Sequence, residues 1–161
     1  MEPEVYFLRF AYPCAEALVH MGRIDDEKLK ELERCVLTDH PASRKELENI
    51  FESAFRRLKR LSKEMGKDSW DMEVLKKYWE KEHNKFIDSG EEGHPESGET
   101  FKDFCRVHVA KVVRKKPKET LLVRYDNEEQ VVLDTLVRNI NLEVGDKVRI
   151  HRGYAIEKVN D

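Results

Sequence analysis

The hydrophobic period of this chain changes once, across a stretch that has no core-forming side chain. Residues 89–100 read Ser-Gly-Glu-Glu-Gly-His-Pro-Glu-Ser-Gly-Glu-Thr, without one large apolar group. Before it, apolar residues recur at the spacing of a helix with one buried face. After it they alternate, the pattern of half-buried strands. Such a chain is expected to be α+β: an N-terminal helical bundle (1–88), an acidic linker (89–100) and a small OB-type β-barrel (101–161).

Four helices are expected in residues 1–88. Pro13 belongs in the first turn of one helix or kinks a longer one, and Gly22 ends it. Asp25 caps a second, with Leu29, Leu32, Cys35 and Val36 as its apolar stripe. Ser43 and Glu46 have capping-box spacing, and Leu47, Ile50, Phe51, Ala54, Leu58, Leu61 and Met65 continue one helix to Gly66. Ser69 caps the fourth, which buries Met72, Leu75, Trp79 and Phe86. Short turns join all four, as in an antiparallel bundle.

Beyond the linker, strands are expected at Cys105–Arg114, Leu121–Tyr125, Gln130–Leu133, Lys147–His151 and Tyr154–Val159. Turn residues lie between them, and a helical turn falls at Thr135–Ile140.

Charge does little to name a partner. The net charge is −3. Residues 1–88 hold 17 basic against 19 acidic side chains, the linker four glutamates, and residues 101–161 hold 13 basic against 10 acidic. A mildly basic barrel therefore follows an acidic tether. Three cysteines, Cys14, Cys35 and Cys105, have no paired spacing, which argues for a reducing compartment and against a disulfide scaffold. With no apolar run of membrane-spanning length and no leader-like opening, a cytoplasmic protein with no membrane partner is expected.

Cys105 and His151 are the leading functional candidates. The start of one antiparallel strand lies beside the end of its neighbour, so thiol and imidazole can meet on one rim. Period-2 alternation puts His151 on the polar face opposite Val148 and Ile150. Taken singly, Cys105 reads as a small buried hydrophobe and His151 as a solvated side chain. His83 beside Glu80 and Glu82 has no partner at metal-ligand spacing. Cys14 and His20 do not share a helix face. No nucleophile–base set, phosphate loop or carboxylate pair appears, so catalysis is not expected.

Residues 105–161 resemble the HypC/HupF family of nickel–iron hydrogenase maturation chaperones. That family opens on Met-Cys-Leu-Ala-(Val/Ile)-Pro-Gly-Lys-Val, and Cys105, Lys111 and Val112 stand at matching positions. Its later motif, Gly-Asp-Tyr-Val-Leu-Val-His-x-Gly-(Phe/Tyr)-Ala-Ile-x-Lys, is matched by Gly145, Asp146, Val148, His151, Gly153, Tyr154, Ala155, Ile156 and Lys158. Residues 131–137 also resemble the family's third strand and the turn after it. Val109-Ala110 replace the Pro-Gly, the cysteine lies far from the N-terminus, and the family's C-terminal helix has no counterpart. Nothing in residues 1–100 takes part.

The resemblance implies a small OB-type accessory protein that binds a maturation factor or a metalloenzyme subunit. It implies iron held transiently by the Cys105 thiolate with His151 nearby, and partner-binding positions at Lys111, Gly153 and Tyr154. A soft thiolate suits low-spin iron bearing π-acid ligands, and imidazole is an acceptable second donor. Two rivals follow from the barrel alone. One is a nucleic-acid-binding module using Arg114, Lys115, Lys116 and Lys118, for which few outward aromatics are available. The other is a scaffold whose ancestral site has degenerated.

Overall fold

The computed structural model describes residues 1–38, 40–89 and 98–160. Helices come first: α1 (Pro3–His20), α2 (Asp26–Leu37), α3 (Arg44–Ile50), α4 (Glu52–Met65), α5 (Met72–Lys77), a π-helical turn (Tyr78–Glu82), α6 (His83–Ser89) and α7 (Glu99–Cys105). Five strands follow, β1 (Val107–Lys116), β2 (Thr120–Tyr125), β3 (Glu128–Leu133), β4 (Lys147–His151) and β5 (Tyr154–Val159), with a 3₁₀ turn at Thr135–Val137.

Local chemistry sets most helix ends. Pro3 opens α1, where its missing N–H costs nothing, whereas Pro13 lies in the helix interior. The Asp25 carboxylate accepts from the Lys28 amide at 2.8 Å, and the Ser43 hydroxyl from the Glu46 amide at 3.1 Å. The reciprocal half of the capping box is absent because the Glu46 carboxylate instead takes Lys28 Nζ at 2.5 Å.

Two helix expectations change. The helix from Ser43 to Gly66 is broken at Phe51, whose φ of −105° and ψ of 55° leave the helical basin and separate α3 from α4. The cap of α5 is Asp71, not Ser69. Trp70 is drawn into the core, and its amide bonds back to the Asp68 carboxylate, so the chain has not yet turned helical at Ser69.

The strand expected from Cys105 starts at Val107 instead. Cys105 is the last residue of α7, and the Arg106 amide bonds back to the Lys102 and Asp103 carbonyls. Arg106 adds ion pairs to Asp88, Glu99 and Asp103, which hold the short helix where the sequence suggested linker. Of that expected linker, residues 90–97 lie outside the described ones, while Glu99 and Thr100 open α7.

The sheet closes on itself in the order β1-β2-β3-β5-β4, and β4 pairs back with β1. The β3–β5 contact is parallel; the other pairings are antiparallel. Its interior holds Ala110, Val112, Leu121, Val123, Val132, Val148, Ile150 and Ala155. A second core is shared between the two halves. Phe7, Phe10, Phe55, Trp70 and Trp79 from the helices pack in one cluster with Val107, Leu136, Tyr154 and Ile156 from the sheet. One outer face of the closed sheet is thus covered by helices. No helix among the described residues is long and apolar enough to cross a membrane.

Candidate functional site

Cys105 and His151 meet where the two halves join. In the β1–β4 ladder His151 stands opposite Val107, two residues after Cys105. Alternation places His151 opposite Val148 and Ile150, as the sequence indicates, but that face is not solvent. His151 is 1% exposed, and α1 and the π-helical turn lie over it. Helix coverage, not strand parity, decides its burial.

The imidazole has a fixed tautomer. Its Nδ1–H donates to the Phe10 carbonyl of α1 at 2.7 Å, which leaves the lone pair on Nε2. Nε2 is buried without a well-formed hydrogen bond, and the Cys105 backbone lies close enough to the ring to oppose the fall in its pKa. Burial, and then the neighbouring His83, hold the ring well below the usual histidine range, so it is neutral at pH 7.

The Cys105 side chain is 2% exposed. Its sulfur accepts from Arg152 Nη1 at 2.9 Å. Burial raises the thiol above its ordinary pKa, and the Arg152 charge and hydrogen bond oppose that rise. Arg152 stands at φ +49°, and Gly153 follows at φ +83° in the tight β4–β5 turn. That turn aims the guanidinium back at α7. It lies 5.8 Å from the Phe101 ring centre and 5.6 Å from that of Phe104.

Helix α7 is fastened to the sheet by one acidic residue. The Asp103 carboxylate accepts from the Tyr125 hydroxyl at 2.8 Å and lies 3.1 Å from His108 Nε2. His108 and Tyr125 stack at 4.2 Å between ring centres. Phe101 and Phe104, 46% and 39% exposed, remain on the outer surface of α7. Cys105 therefore sits beneath an apolar, cation-flanked surface.

Two further groups join the site without any signal in the sequence. His83 packs against Trp79 at 5.1 Å and stands edge-on to His151 at 4.9 Å. The π-helical turn precedes it, a wide turn often found at functional positions. Cys14 of α1 is the second group. Burial pushes its thiol up to about 11, nearby Cys105 adds to the rise, and Arg152 and Arg57 oppose it. These residues lie on segments that are distant in sequence, and tertiary packing alone brings them together.

Of the other expected positions, Gly153 is gathered here and Lys111 is not. Lys111 is exposed and lies farther along β1, opposite Arg124 and Lys147. Gly153 is at the site, with Phe104 against it. Tyr154 is turned inward, its hydroxyl donating to Glu16 at 2.6 Å and its ring edge-on to Tyr12. Compared with known proteins, the chain matches no family model, no curated protein and no solved structure.

Proposed function

We propose that the chain is a HypC-like accessory protein, an OB-type barrel backed by a helical bundle, which docks on a larger protein and holds iron transiently at Cys105 and His151. The carrying observation is the His151 ring. Its Nδ1 is pinned to a backbone carbonyl, and its Nε2 is buried without a well-formed hydrogen bond, beside the Cys105 backbone. That is how proteins orient an imidazole for a metal, the second nitrogen fixing tautomer and direction.

The donor chemistry fits the group that the resemblance implies. Bound iron would supply a redox-capable centre that accepts small π-acid ligands. Cys105 would offer sulfur once its proton is lost, and Arg152 favours the thiolate by donating to it. Phe101 and Phe104 beside Arg152 supply an apolar and cationic docking surface over the thiol. The nucleic-acid reading has less support. Tyr125 is stacked on His108 and Tyr154 is buried against α1, so neither tyrosine offers a free face to a base.

The test is recovery from native cytosol with tagged wild type, Cys105→Ala and His151→Asn, measuring iron and bound protein together. Wild type should carry both, and each variant should lose iron while its circular dichroism is unchanged. Equal iron in wild type and in both variants would end the proposal.

A further inference from the structure

A cavity of about 130 Å³ opens in the helical half, apart from the docking surface on α7. Leu18, Ile50, Phe51, Ala54 and Trp79 give it apolar walls. Two permanent cations line it: Arg23, paired with Glu52 at 2.8 Å, and Arg57 of α4.

The state of Arg57 is unusual. It is 6% exposed, and its Nε is fully buried with no hydrogen-bond acceptor. Its guanidinium carbon lies 5.1 Å from the face of Phe86, where the arginine also borders a second cavity with Arg60, Glu64 and Glu82. Among the described residues it makes no ion pair, and two nearby carboxylates are engaged elsewhere. Glu52 at the rim holds Arg23 at 2.8 Å, and Glu82 holds Lys85 at 3.1 Å. A buried guanidinium N–H left without an acceptor is costly, and Nε of Arg57 is such a group. The missing partner is an acceptor, and the cavity is where one can enter.

We propose that this cavity binds a small organic monocarboxylate, with the carboxylate on Arg57 and the apolar body among Leu18, Ile50, Phe51 and Ala54. Arginine meets carboxylate through two parallel hydrogen bonds, which suits a planar anion. Size sets the class of ligand: a cavity near 150 Å³ holds a benzene ring, so the occupant has roughly six to nine heavy atoms. The apolar walls disfavour inorganic phosphate, which keeps its hydration shell, and with Arg23 already neutralised by Glu52 a second carboxylate would find no cation to meet it. Cys14 and His83, which pack beside Cys105 and His151, also line the cavity, but neither Cys105 nor His151 does, so a Cys105 variant separates this site from the proposed function.

The experiment titrates the full chain with sodium benzoate, benzyl alcohol and inorganic phosphate, followed by amide chemical shifts. Benzoate should saturate, with shifts centred on Ala11, Cys14 and Ala54, and should slow alkylation of Cys14. Benzyl alcohol, close in size but neutral, should bind about tenfold or more weakly, the weight of a charge-assisted hydrogen bond. Arg57→Met should erase that preference, and Ala54→Leu, which fills the cavity and keeps the arginine, should abolish benzoate binding. Cys105→Ala should leave it intact. No saturable benzoate shift, equal affinity for benzoate and benzyl alcohol in the wild type, or phosphate binding as tight as benzoate would each overturn the assignment. The benzyl alcohol comparison uses wild type alone, so it decides the matter even if Arg57→Met fails to fold.

Discussion

Arg152 donates to the sulfur of Cys105 across 2.9 Å, and the same guanidinium lies over Phe101 and Phe104. One side chain from the β4–β5 turn thus touches both the buried thiol and the exposed surface above it. Two effects compete on the thiol, with burial raising its pKa and Arg152 lowering it. Replacing Arg152 by Met removes the opposing charge. The midpoint of the pH profile for Cys105 alkylation, read by mass spectrometry, should then move to higher pH. A midpoint that stays in place or falls would show that Arg152 does not support the thiolate.

His151 gives the fold a pH dependence with a definite sign. Its folded pKa is depressed, first by burial and then by His83, while the unfolded chain has an ordinary histidine value of about 6.5. The unfolded state therefore binds more protons at low pH. Stability from the neutral ring is full above pH 6.5 and is lost as the pH falls below it, by about 1.4 kcal/mol per pH unit for one proton. The groups facing the ring are the Phe10 carbonyl, His83, Arg152 and Cys105, and Trp79 packs against it. Urea unfolding at several pH values from 7.5 to 5 should show this slope. His151→Asn should cost about 1–2 kcal/mol at pH 7.5, through an imperfect replacement of the bond to Phe10, and should flatten the slope.

The shared core predicts that the halves unfold together. Ile156 is fully buried in the cluster that also contains Trp70 and Trp79. Ile156→Ala should cost about 2–5 kcal/mol. Both tryptophans lie in the helical half, so their fluorescence reports on helices alone. If the halves are coupled, this change in β5 lowers the tryptophan midpoint as much as the far-ultraviolet one. A tryptophan transition unmoved by the variant would mean independent units.

Gly153→Ala tests the turn that aims Arg152. At φ +83° a side chain is strained, and the expected cost is about 1–3 kcal/mol. The added methyl group would meet the Phe104 ring at 3.5 Å, an ordinary contact, so strain and not collision is the cause. Denaturant midpoints measure it, and a neutral result would mean that the turn relaxes into another conformation.

Local signals carried much of the fold. Asp25 and Ser43 cap where their side chains indicated, and β4 and β5 have the bounds that alternation predicts. The break at Phe51 was hidden because Leu47 and Phe51 on one side, and Phe55 and Leu58 on the other, keep a helical period through it. Helix α7 was hidden for the opposite reason, since Cys105 shares parity with Val107 and reads as an extension of β1. At the site, the nearness of Cys105 to the His151 strand was legible from antiparallel geometry. The burial of His151 was not, because it depends on helices packed over an outer face. His83 and Cys14 gave no signal, because no spacing rule links positions on separate helices and strands.

Asn84 follows His83 in α6 and grips the first residue of β1 at both ends. Its amide nitrogen donates to the Val107 carbonyl and its oxygen accepts from the Val107 amide, each at 2.8 Å. The side chain thereby imitates a neighbouring strand at the position just past Cys105. The consequence is mechanical. Any displacement of α6 therefore pulls on the residue that starts β1, two positions past the sulfur.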